Sequence, residues 1–255
     1  MHQVQAVKYT LGERHLVDDT LTIEEMLSIS INGEPYTMTM RTPGYEEELT
    51  RGILLSEDVY DGIENPTFLV TEKNDHGYIT KVNVVLKPEQ LGKGILSKRN
   101  LLSVTSCGMC GKYETDLALN GERLETSADL SFEQVSSFFI QMKKAQENFQ
   151  HTGGSHAAAA FSAEGKLLVC REDIGRHNAV DKVIGFLMLR QLQQQAVCLI
   201  VSGRVSYEIV SKCYRARIPY LAAVSAPSSM AVEYCKDKGI QLYAFCREDR
   251  ATKYS

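Results

Sequence analysis

No apolar run in the chain approaches the roughly 20 residues that span a bilayer, which argues against a membrane-spanning protein. Residues Met1 to Gly12 lack the basic-then-apolar pattern of a secretion signal, so the expectation is a soluble, cytoplasmic protein with no membrane partner. An excess of positive charge is also missing. The 28 basic side chains are outnumbered by 32 acidic ones, a formal charge of −4, which argues against nucleic acid as the main partner. There is no internal repeat and no low-complexity tract. What remains is ordinary for a globular chain: 255 residues, 44% apolar and 24% charged, enough for one large domain or two small ones.

Cysteine usage excludes a disulfide scaffold. Seven cysteines is an odd number, and Cys170, Cys198, Cys213, Cys235 and Cys246 stand alone in apolar or helical surroundings, as reduced cytosolic cysteines do. They read as buried hydrophobes. Cys107 and Cys110 alone form a close pair. Charge is unevenly spread: residues 1–100 balance to −6 and residues 101–255 to +2, so an anionic ligand is better suited to the second part, although two solvated faces would give the same asymmetry.

The first hundred residues read as a β-rich domain. Leu27–Ile31 and Tyr36–Met40 alternate cleanly on either side of an Asn32-Gly33 hairpin turn. Thr42-Pro43-Gly44 breaks the strand, and a helix is predicted over about Tyr45–Leu55, with Glu46–Glu48 at its positive end. Strands are expected at Thr67–Val70 and Ile79–Leu86. Residues 87–127 are irregular and Gly-rich, and a loop of that length is functional or disordered. The domain division is 1–100, a loop at 101–127 with the cysteine pair, and 128–255.

The last part has stronger patterning. Phe132, Val135, Phe138, Phe139 and Met142 have helical spacing, His156–Phe161 and Lys166–Cys170 form a hairpin, and Asn178–Arg190 is helical. Strands at Val197–Val201, Tyr220–Val224 and Gln241–Phe245 then alternate with helices at Ser206–Arg217 and Ser228–Lys238, the latter closed by Gly239. Short buried strands alternating with helices imply a largely parallel sheet. The fold class is α/β, α+β overall, and this second unit is similar in element order to the cytidine-deaminase-like fold.

Thr105-Ser106-Cys107-Gly108-Met109-Cys110-Gly111 brings two thiols within reach of each other in a loop of small residues. A structural zinc site needs a second ligand pair, and no second C-x-x-C exists, so zinc would require one pair from each chain of a dimer. Thioredoxin-like chemistry places its pair at a helix start, whereas this pair precedes an irregular stretch. Sulfur carriage needs a thiolate on an arm that visits two partners, with a persulfide as its stored form. On the residues alone, carriage and dithiol redox both stay open.

Three polar segments each lie between a strand end and a helix start: Arg171–Asn178, Ser202–Ser206 and Ser225–Ser229. Ligands of open α/β sheets bind at that edge, where helix N-termini present free N–H groups. Arg176 and Arg204 offer forks for phosphate, Gly203 admits close backbone approach, and Ser206 and Ser228 offer hydroxyls. A nucleotide-like anion is the reading, against plain N-capping by the serines. His177 and Asp181, four apart, suit either a local hydrogen bond or a ligand contact. Zinc deamination is excluded, since it needs H-x-E and P-C-x-x-C; the chain reads His177-Asn178-Ala179, and Ser202–Ser206 contains no cysteine. No metal site is expected.

These residues together resemble the FdhD family of formate dehydrogenase accessory sulfurtransferases. The resemblance runs through Arg41-Thr42-Pro43-Gly44, Ser106–Gly111, Gly153–His156, Asp173–Lys182 and Ser202-Gly203-Arg204 to Phe245-Cys246-Arg247 and Arg250. It implies a sulfur carrier in which a cysteine desulfurase loads Cys107 with a persulfide, with Cys110 as its companion. The persulfide sulfurates the molybdenum of a bis(molybdopterin guanine dinucleotide) cofactor before insertion into formate dehydrogenase. It further implies guanosine diphosphate binding as a surrogate for the cofactor's arms, a homodimer, and a C-terminal cofactor-binding stretch at Phe245, Cys246, Arg247, Glu248, Asp249 and Arg250.

Overall fold

Asn32 and Gly33 both take positive φ, 52° and 87°. Two such residues make the tight turn whose twist matches a hairpin, and strands β3 (Glu25–Ile31) and β4 (Glu34–Arg41) pair antiparallel about it. In the computed structural model, which describes residues 1–96, 121–126 and 128–255, this hairpin nucleates the first of two large sheets. Helix α1 (Glu46–Ser56) follows, then β5 (Thr67–Lys73) and β6 (Ile79–Val85), in the sheet order β4-β3-β6-β5. Leu27, Ile29, Val82 and Val84 line its inner face and meet Leu49, Ile53 and Leu54 of α1. A separate hairpin, β1 (His2–Thr10) and β2 (Glu13–Leu21), precedes this unit; the sequence pattern does not announce it, because none of its side chains is fully buried.

The second sheet has the order β12-β11-β10-β9-β7-β8. Its elements are α2 (Phe132–Ala145), α3 (Glu147–Thr152), β7 (His156–Phe161), β8 (Leu167–Asp173), α4 (Arg176–Leu189), β9 (Cys198–Val201), α5 (Tyr207–Arg215), β10 (Tyr220–Ala223), α6 (Ser229–Lys238), β11 (Gln241–Ala244) and β12 (Thr252–Lys253). The three strands that alternate with helices pair parallel as expected, β9 with β10 and β10 with β11. The expected hairpin of β7 and β8 is antiparallel, and β7 also pairs antiparallel with β9. Strands β8, β9, β10 and β11 nonetheless run the same way, so their carboxyl ends share one edge.

Strand β7, between β9 and β8, contains Ala157-Ala158-Ala159-Ala160, all buried. Alanine is a poor strand former, but its small side chain lets helices lie close on both faces. Ala157, Ala159 and Phe161 face α2, where Phe138 stacks on Phe161 with centroids 4.3 Å apart. Ala158 and Ala160 face α4, whose Val180, Val183, Ile184 and Leu187 are at most 1% exposed. Each such burial is worth about 1.5–3 kcal/mol, so this one face of α4 contributes on the order of 10 kcal/mol before entropy is counted.

The two sheets are joined by contact between α1 and α4. A Cβ at Gly52 of α1 would run into the Asp181 carbonyl, and one at Gly185 of α4 into the Glu48 carbonyl. The helices therefore cross with main chain against main chain, glycine opposite main chain in each direction.

Candidate cofactor site at the carboxyl edge of the second sheet

The polar segments after β8, β9, β10 and β11 gather along the shared edge. Val205 N–H donates to Ala226 O (3.1 Å), Ser228 N–H to Val205 O (2.9 Å), and Phe245 N–H to Ser225 O (3.3 Å). The edge thus brings together Arg176, His177, Gly203, Arg204, Ser206, Ser228 and the Phe245–Arg250 stretch.

The segment Asp173–Lys182 divides between two jobs. Asp173 is fully buried, lies 2.8 Å from Lys182 Nζ, and accepts from Gly175 N–H (2.8 Å) and Thr42 N–H (3.2 Å). Lys182 also donates to Thr42 O (2.8 Å), and Asn178 Nδ2 to Met40 O (2.8 Å). Asp181 accepts from Lys212 Nζ (2.7 Å) and Ser56 Oγ (2.7 Å). These bonds fasten the Arg41–Gly44 turn and α1 to the second unit. Asp181 is thereby committed to Ser56 and Lys212, and His177 Nε2 lies 3.0 Å from Glu208 Oε2, a pairing across 31 residues that spacing could not reveal.

The other side of the segment faces the edge. Arg176 opens α4, and its Nε is buried without a hydrogen-bond partner. His156, at the start of β7, lies beside it. Ser202 Oγ accepts from Ala157 N–H (2.9 Å) and lies 3.3 Å from His156 Nδ1. Burial, reinforced by the Arg176 guanidinium, holds the His156 pKa below the ordinary imidazole value. Gly203 also makes room within the fold. A Cβ there would press on Arg176 Cβ (3.2 Å) and Cδ (3.3 Å) and approach His156 Nδ1 (3.5 Å), so the glycine makes room for those two side chains.

The remaining positions differ in what they have left to offer. Arg204 is exposed. Ser206 begins α5 without capping it, and its hydroxyl lies 3.4 Å from Glu208 Oε2. The Ser228 hydroxyl caps α6 by accepting from Ala231 N–H (3.2 Å). Arg247 Nη1 donates to Val224 O and Cys246 O, both at 2.7 Å, which engages its guanidinium in holding the loop. The Glu248 carbonyl accepts from Ser136 Oγ (2.9 Å), while Asp249 and Arg250 are exposed. Phe245 is 42% exposed with φ of 53°, an unfavoured backbone for an aromatic residue.

The lone cysteines are buried or half-buried, and burial pushes the thiols of Cys170 and Cys235 up to about 12 and that of Cys246 up to about 11. The thiolate is the reactive form, so burial disfavours reaction at these three. Cys107, Cys110 and the loop at 101–120 lie outside the described residues. His151 and His156 stand at a zinc-like spacing, but His151 Nδ1 is bonded to Glu147 O (2.7 Å). Among the described residues no three candidate ligands cluster as a metal site, and no helix is long and apolar enough to cross a membrane.

A model of the FdhD/NarQ family matches residues 22–255. The chain belongs to that family. Relatives named sulfur carrier protein FdhD include one from Mycolicibacterium paratuberculosis, 40% identical over 254 residues and covering 96% of this chain and 93% of its own. Another, from Sulfolobus acidocaldarius, is 36% identical over 256 residues and covers 100% and 96%. The crystal structure of a protein described as a formate dehydrogenase accessory protein from Desulfotalea psychrophila superposes with a TM-score of 0.78 at 23% identity, over 100% of this chain and 96% of that one. That likeness bears on the fold of this FdhD/NarQ chain, a mixed α/β arrangement with helices on both faces of its larger sheet.

Proposed function

We propose that the protein is a cytoplasmic sulfur carrier in formate dehydrogenase maturation, taking sulfur from a cysteine desulfurase on Cys107 and delivering it to a guanylated molybdenum cofactor held at the carboxyl edge. The carrying observation is the cysteine inventory of a chain whose full-length relatives are named sulfur carriers. The lone cysteines are buried or half-buried, which leaves Cys107 and Cys110 to do the chemistry.

In the loading step the Cys107 thiolate attacks the terminal sulfur of the desulfurase persulfide, the S–S bond breaks, and the desulfurase cysteine leaves as thiolate. Delivery at the sulfide level requires two electrons. Cys110 supplies them by attacking Cys107 Sγ, which forms a Cys107–Cys110 disulfide and frees hydrosulfide for the metal. An external dithiol then reopens the disulfide.

The edge suits a guanosine diphosphate terminus. Arg204, Arg250 and the unsatisfied Arg176 are cationic donors, α4 and α5 present their N-termini, and the exposed Phe245 ring is a stacking surface for a base. Intact-mass spectrometry after incubation with a cysteine desulfurase and cysteine tests the carrier role. Wild type should gain sulfur that maps to Cys107, and Cys107→Ala should not. Equal sulfur gain in both proteins would overturn it, and binding of guanosine diphosphate without any sulfur gain would instead support a cofactor-binding chaperone whose cysteines act as a redox switch.

A further inference from the structure

Residues 1–21 precede the family-matched region, which begins at residue 22. They form a hairpin of nine cross-strand pairs, from His2 opposite Leu21 to Thr10 opposite Glu13, about a Leu11-Gly12 turn. The hairpin joins neither larger sheet. Its base is tied down where the Thr22 hydroxyl bonds that of Thr152 (2.7 Å). A lone two-stranded ribbon is marginally stable in water, and this one has an open face.

Cross-strand partners share a face, as do residues two apart along a strand. On one face Val4, Ala6 and Val17 are half-buried. The other face reads from base to tip as Gln5 with Asp18, Val7 with Leu16, and Tyr9 with Arg14. Val7, Leu16 and Tyr9 are 36%, 80% and 74% exposed. This face is complementary to itself when reversed. The apolar Val7–Leu16 pair stands at the centre, with an acid one rung toward the base and a base one rung toward the tip.

We propose that this face packs on the same face of a second copy of the chain, about a twofold axis lying across the strands at the Val7–Leu16 rung. Leu16 then meets Leu16 of the other copy, Val7 meets Val7, and Arg14 lies opposite the other copy's Asp18 on both sides of the axis. The pattern of the face assigns this pairing one surface and one register. Such isologous contact requires one patch to serve both copies, and an unrelated partner would not call for charges placed symmetrically about an apolar centre.

The test is sedimentation velocity on the full chain, with circular dichroism as a check on folding. Wild type should sediment as a dimer, and Leu16→Glu should raise the dimer dissociation constant on the order of 100-fold, as loss of a central anchor does. Arg14→Asp should weaken association and the double exchange Arg14→Asp with Asp18→Arg should restore it. The two positions are four residues apart on one strand, too far to interact within a copy. A monomeric wild type, a Leu16→Glu protein that dimerises like wild type, or a double exchange that fails to restore association would overturn the proposal.

Discussion

The two sides of the Asp173–Lys182 segment contrast sharply. On the inner side every charged group has found a partner: Asp173 with Lys182, and Asp181 with Lys212, all nearly inaccessible to solvent. On the outer side Arg176 keeps a buried Nε unsatisfied, and its neighbour Arg204 across the edge is exposed. Burial of an ionic group costs several kcal/mol unless it is paired, so completed pairing on the inside is what the fold requires. Unspent bonding capacity on the outside is stability forgone, and such groups are the ones free to meet a ligand. A single ten-residue run therefore serves both as a fastener between the two sheets and as one wall of the candidate site.

The contrast can be tested from either side. Lys182→Met on the inner side leaves Asp173 buried without its counter-ion and should cost about 3–5 kcal/mol of stability, read as a fall in the urea midpoint. A midpoint close to wild type would mean that the inner pair is not what fastens the sheets. Arg204→Ala on the outer side should leave that midpoint unchanged and weaken guanosine diphosphate binding by about 1.5–3 kcal/mol, roughly 10- to 150-fold by calorimetry. Equal affinity in the variant would remove Arg204 from the site. The smallest effect concerns His156, which sits among Arg176, His177 and Asp173. Its folded pKa lies below the unfolded value of about 6.5, so as pH falls through that value the unfolded chain takes up the proton first. Stability should decline until the folded imidazole also protonates. His156→Gln should flatten this stretch of a pH series of urea midpoints, and an unchanged slope would show that the group does not titrate as its surroundings require.

Much of the fold is legible in the residues, for reasons that also explain the gaps. Leu27–Ile31 alternates because one face of β3 is buried, and Asn32-Gly33 supplies the turn. Val180, Val183, Ile184 and Leu187 mark α4 because they share one buried stripe. The first hairpin has no such stripe, and Leu11 takes a left-handed φ of 47° that its residue type does not advertise. The antiparallel pairing of β7 with β9 is silent because a run of alanines reads the same for either strand direction. At the site, the gathering of the three polar segments was readable from strand and helix order, whereas the division of labour among them was not. Lys212 lies 31 residues from Asp181 and Glu208 the same distance from His177, and such long-range partners leave no local signal. Gly203 read as room for close backbone approach, and only the fold reveals that Arg176 packs against it as well.

The glycine crossing of α1 and α4 bears on how this sequence can change over time. What a Cβ at Gly52 or Gly185 would strike is main chain, the carbonyls of Asp181 and Glu48, and no substitution elsewhere can trim a carbonyl. A lesion in an ordinary core can be rescued by shrinking a neighbouring side chain. Here a selection for second-site suppressors of Gly185→Ala should return mainly true revertants, or changes that raise stability everywhere, and few at positions touching the crossing.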